Sequence, residues 1–117
     1  MTLEEFRAHC ATFPGFSEDL PFGPEVLAFR VGGRIFALMD VDTFESVNLK
    51  CDPERAIELR EHHPGITPGY HMNKRHWNTV RTDGSVPHRL LLELARHSYE
   101  RVRASLPKKV REELERP

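Results

Sequence analysis

Between Gly69 and Gly84 the chain reads GYHMNKRHWNTVRTDG. This stretch gathers the phenol of Tyr70, the imidazoles of His71 and His76, the carboxamide of Asn73, the cations Lys74, Arg75 and Arg81, and the chain's only tryptophan, Trp77. Cations and hydrogen-bond donors so arranged suit an anion, above all a phosphate. An aromatic among them suits stacking on an unpaired base. Metal binding is a weaker reading. His71 and His76 can meet across a turn, and His62-His63 lie nearby, but there is no third identifiable ligand, no HxxxH and no cysteine pair.

Nothing comparable points to catalysis. There is no GxSxG, Gly32-Gly33 lies between strand-like segments rather than before a helix, and no spacing forces two carboxylates together. The chain is expected to be non-enzymatic and to need no cofactor.

The elements that must position these groups are legible in part. Thr2 and Glu5 form a capping-box pattern ahead of Leu3, Phe6, Cys10 and Phe13, which predicts a short amphipathic helix ending at Pro14-Gly15. The turn-rich SEDLPFGPE follows. VLAFRV and RIFALMDV around Gly32-Gly33 predict two antiparallel strands and a tight turn. Residues 46–50, SVNLK, give a third strand with Val47 and Leu49 on one face and Asn48 and Lys50 on the other. Asp52-Pro53-Glu54 then starts a helix whose apolar side is Ala56, Ile57 and Leu59. Lys50 beside that helix start can form an anion-attracting corner.

Residues 66–72 and 75–81 predict a second hairpin turning at Asn73-Lys74. Alternation puts His76, Asn78 and Val80 on one face and Trp77, Thr79 and Arg81 on the other, so Trp77 and His76 cannot both point inward. Trp77 packing beneath a helix is the plain reading; an exposed hairpin presenting Tyr70, His71, Asn73, Lys74, Arg75 and His76 is the functional one. The strongest helix runs from about Pro87 to Ser105, with Leu91, Leu94, Ala95, Ser98, Tyr99 and Val102 as its core stripe. Arg89, Arg96 and Arg103 on another side read as its solvated face, paired with Glu93 and Glu100. A last helical turn or two follows Pro107. The predicted order is α-β-β-β-α-β-β-α, an α+β fold with two layers.

At 117 residues, with 38% hydrophobic and 30% charged side chains, the chain is expected to form a single domain, 1–117. The net charge of −1 conceals a polarity: residues 1–61 hold 12 acidic and 6 basic side chains, residues 62–117 hold 6 and 11. No membrane-length apolar run and no signal-peptide pattern is present, so a cytoplasmic location is expected, with Cys10 and Cys51 as reduced, packed thiols.

The runs PFGPEVLAFRVGGRIFAL, VNLKCDPERAIELREHHPGITPGYHMNKRHWNTVRTDGSVP and LLLELARHSYERVRASLPKK resemble the MmcQ/YjbR family over nearly the whole chain. The resemblance implies an α+β, two-layer domain of the type III secretion chaperone-like kind, with one antiparallel sheet and helices against it. For function it implies DNA binding, with hairpins serving as wings. The family pattern falls on Lys50, Tyr70, His71, Asn73, Lys74, Trp77, Ser98 and Tyr99. DNA binding through the second hairpin is therefore the leading expectation. A protein- or peptide-binding adaptor, and a small-anion or metabolite binder at Lys50, His71 and Asn73, are the alternatives.

Overall fold

The structure, a computed structural model, describes residues 1–70 and 72–116. In chain order the elements are α1 (Leu3–Cys10), β1 (Phe16–Asp19), β2 (Val26–Val31), β3 (Arg34–Asp40), β4 (Ser46–Lys50), α2 (Pro53–His62), β5 (Ile66–Pro68), β6 (Trp77–Arg81), α3 (His88–Ala104) and α4 (Lys108–Glu115). The strands form one antiparallel sheet in the order β1-β2-β3-β4-β6-β5. Helix α3 lies across β2, β3 and β4, with α1 against α3 and α2 beside β5. This is the α+β, two-layer architecture that the sequence predicts.

Local chemistry explains most of the elements. Both halves of the Thr2/Glu5 capping box are formed at α1. Gly32 and Gly33 have φ of 56° and 82°, so both central positions of the β2–β3 turn are left-handed, as a tight hairpin requires. Asp52 accepts the Arg55 N–H at 3.1 Å and Pro53 opens α2. All six residues of the predicted α3 stripe are buried.

Three differences have physical causes. Strand β1 falls in the stretch read as turns, because FSED offers one apolar side chain and too little alternation to show; pairing with β2 makes it a strand. α4 has about the two turns expected after Pro107, and differs in packing Val110 and Leu114 on the core. Ile57 is 49% exposed, so α2 buries only Ala56 and part of Leu59.

The core lies between the sheet and α1 and α3. Phe6, Phe29, Phe36 and Tyr99 are buried there, with Phe13 and Phe16 completing an aromatic cluster of rings 4.9–6.5 Å apart. A register shift helps to fill it. Phe29 pairs with Ala37 and Arg30 with Ile35, so Phe36 is an extra residue on β3, and Phe36 and Ala37 are both fully buried. Cys10 and Cys51 are free and buried, and burial pushes the Cys10 thiol up to about 12.

Candidate functional site

The two faces of the sheet differ sharply. Val47, Leu49, Asn78 and Val80 are buried toward the helices, and the register pairs Val47 with Val80 and Leu49 with Asn78. Their neighbours Asn48, Lys50, Trp77 and Thr79 therefore share the opposite face, which no helix covers. Trp77 is half-buried there, outside the core cluster. Alternation was readable in the sequence, but with Val on one side and Trp on the other it did not say which side faces inward. Val80 wins because its partner Val47 lies under α3.

Lys50 is held with care. Its N–H donates to the Ser98 hydroxyl at 2.8 Å, so its pairing with Trp77 across β4 and β6 is the non-hydrogen-bonded kind, which brings side chains closest. The next residue, Cys51, donates its N–H to the carbonyl of His76 at 2.7 Å. Beside this pair the chain leaves β5 and crosses Trp77 so tightly that a Cβ at Gly69 would stand 2.8 Å from the Trp77 Cβ. Tyr70 follows, 70% exposed, its N–H donating to Thr79 Oγ1 at 3.0 Å. Thr79 in turn donates to Asn48 Oδ1 at 2.6 Å.

The tip is built around Asn73. Its Oδ1 accepts the Arg75 N–H at 3.0 Å, and its carbonyl accepts the N–H groups of His76 and Trp77 at 3.1 and 2.9 Å. From α2, Arg60 Nη1 donates to the Lys74 carbonyl at 3.0 Å. Asn73, Lys74 and Arg75 are exposed. Neither Lys74 nor Arg75 forms an ion pair with a described residue.

The predicted site residues thus divide. Lys50, Tyr70, Asn73, Lys74 and Arg75 cluster at one end of the sheet, around Trp77. His71 lies outside the described residues. His76 is not presented to solvent: it is half-buried at the base of the loop, and its Nδ1 is buried without a hydrogen bond. Arg81 lies four residues along β6 from Trp77, about 13 Å away at a strand's rise, and is paired with Asp83 at 3.1 Å. The corner imagined between Lys50 and the start of α2 is already filled, because the Asp52 carboxylate caps that helix and faces Arg101 at 3.7 Å.

The pairing expected on α3 forms only in part, since Glu93 meets Arg55 at 2.8 Å instead of an α3 arginine. Arg96 pairs with Glu100 at 3.1 Å and lies over the Phe13 ring, and Arg103 faces Glu115 at 3.8 Å. Ser98 and Tyr99 are buried and serve the fold. Among the described residues no three His, Cys, Asp or Glu side chains gather to hold a metal, and no helix is long and apolar enough to cross a membrane. The sequence reading missed Arg60 and the Thr79–Asn48 pair, whose roles depend on contacts across elements that no local pattern signals.

The YjbR family model matches residues 11–101. The uncharacterized protein YbdF of Escherichia coli O157:H7 is 39% identical over 90 residues, 76% of this chain and 74% of YbdF. The uncharacterized YjbR of E. coli K12 is 33% identical over 112 residues, 95% of each chain. Of solved structures, Deinococcus radiodurans DR2400, described as a DUF419 domain, superposes with a TM-score of 0.92 at 45% identity, covering 99% of this chain and 89% of that one. The Pseudomonas syringae protein PsR293 gives 0.74 at 26% identity, covering 87% and 99%. With a family model matched over residues 11–101 and a relative aligned over 95% of its length, this chain belongs to the YjbR family.

Proposed function

We propose that this protein binds nucleic acid, without catalysis, at the Asn73–Arg75 tip and the adjoining Lys50. One observation carries the reading: Lys74 and Arg75 are exposed, without a carboxylate partner among the described residues, on a turn braced by Asn73 and Arg60. Unneutralised cations on a turn whose backbone is already hydrogen-bonded suit phosphate oxygens, since the ordering left for binding falls on the side chains.

Lys50, Lys74 and Arg75 allow about three phosphate contacts, so log affinity should fall against log salt with a slope of roughly −2 to −3. Fluorescence anisotropy with labelled DNA across a salt series measures this. Lys74→Ala with Arg75→Ala should flatten the slope by about 1.5. No binding at low ionic strength would remove the proposal.

The adaptor reading has one observation in its favour: Leu20 and Phe22, between β1 and β2, are 49% and 65% exposed. The sheet edges do not help it, because β5 has three residues including Pro68, and β1 carries Glu18 and Asp19.

A further inference from the structure

We infer that the nucleic acid this site takes is single-stranded DNA, with an unpaired base stacked on Trp77. The inference rests on the nucleic-acid reading above and assigns its substrate class. It starts from Trp77, a large aromatic that sits half-buried on the sheet face no helix covers, outside the core cluster. Its neighbour in the closest kind of cross-strand pair is Lys50, an ammonium within reach of a phosphate attached to a stacked base. Tyr70 is 70% exposed beside it, placed there by the Gly69 crossing and by its N–H bond to Thr79. Asn48 and Thr79 lie next along the same face, hydrogen-bonded to each other, and Thr79 accepts the Tyr70 N–H that places that ring.

Charge complementarity points the same way. Of the carboxylates on this face, Asp19, on the far edge strand β1, is paired with Arg30 at 2.8 Å, Asp40, at the end of β3 away from the Lys50–Trp77 pair, accepts the N–H groups of Asp42 and Thr43, and Asp83, beyond the other end of β6, is paired with Arg81. Lys50, Lys74 and Arg75 remain for the backbone. In a duplex the flat faces of the bases are already stacked on one another, so an aromatic on an open sheet gains nothing from them. A single strand offers those faces, and its lower charge density suits three cations.

The test uses the intact protein. Trp77 is the only tryptophan, so its fluorescence reports on this position alone. An oligothymidylate of about twelve nucleotides should quench it and bind at least tenfold more tightly than a duplex of the same length at the same salt; an abasic strand of equal charge should bind weakly without quenching. Trp77→Leu should cost the single strand about tenfold or more and leave duplex binding unchanged. Trp77→Phe, which keeps an aromatic on the sheet, should retain most of the affinity. Equal binding of abasic and thymidylate strands, or preference for duplex without quenching, would overturn single-strand selection while the tip remains a phosphate site. Absence of binding to every DNA at low salt would instead bring down the parent reading.

Discussion

The Ser98 hydroxyl stands between two strands in the place of a ladder hydrogen bond, donating to the Phe36 carbonyl at 2.6 Å and accepting the Lys50 N–H at 2.8 Å. Beyond the Ala37–Leu49 pair, β3 and β4 no longer register, because Phe36 is the extra residue of the β3 bulge. Its carbonyl and the Lys50 amide would both be left without partners. Helix α3 supplies one through a side chain buried to 0% exposure. The residue that positions Lys50 on the open face is thus a core serine on the opposite layer.

Ser98→Ala should therefore destabilise the fold by about 1–3 kcal/mol, since it strands a buried donor and a buried acceptor while removing a single atom of volume. Urea unfolding gives the energy, and amide exchange at Lys50 locates it. A loss under about 0.5 kcal/mol with unchanged exchange would mean that the two groups find other partners.

The two glycines of the β2–β3 turn should respond unequally to alanine. Both have positive φ, but a Cβ at Gly33 meets nothing within 4 Å, whereas one at Gly32 would lie 2.6 Å from Leu106 Cδ1 and 3.2 Å from Val110 Cγ1. Leu106 is buried and cannot swing away freely. Gly33→Ala should cost about 1–2 kcal/mol for the left-handed backbone. Gly32→Ala adds overpacking of about 1–3 kcal/mol and should also loosen α4. Equal melting temperatures for the two variants would contradict this packing.

How far the sequence discloses this site follows from where its information lies. The capping box of α1, the Gly-Gly turn and the α3 stripe are local patterns, and each forms as read. The weakly patterned FSED becomes a strand only because β2 offers an edge to pair with. Trp77 shows the same limit at the site: alternation separates it from Asn78, but the inward face is set by Val47, thirty residues earlier, lying beneath α3. Asn78 then enters the core at 2% exposure, giving one hydrogen bond to the Ala56 carbonyl at 3.3 Å and leaving its Oδ1 without a partner. A buried asparagine beside a half-buried tryptophan on the open face inverts the usual ranking of those residues.

Arg60 is expected to brace the tip without supporting the fold. Its bond to the Lys74 carbonyl joins the last turn of α2 to the loop, and the contact is exposed. Arg60→Ala should leave the urea midpoint nearly unchanged, within about 0.5 kcal/mol. Trypsin should then cut after Lys74 or Arg75 several-fold faster, because cleavage needs local opening of the turn. An unaltered rate of cleavage at the tip would show that the Asn73 turn holds it alone.

His97 should make stability fall in mild acid. Its Nε2 accepts the Asp52 N–H at 3.2 Å, which requires a neutral ring with its proton on Nδ1. Burial lowers its pKa below the ordinary 6.5, the nearby Arg55 and Arg101 lower it further, and Asp52 and Glu100 oppose the shift. Below 6.5 the unfolded chain therefore takes up a proton that the folded chain resists. The stabilisation is complete above 6.5 and is lost as pH falls through the lower folded value. The carboxylates lowered by hydrogen bonding, Glu5, Asp40 and Asp83, have ordinary values of 4.5, 3.8 and 3.8, so their contributions are lost in stronger acid. Urea midpoints between pH 7.5 and 5 should accordingly decline in the natural protein and stay flatter in His97→Gln, whose carboxamide oxygen can accept the Asp52 N–H at any pH. Parallel declines in the two proteins would assign the acid sensitivity to another group.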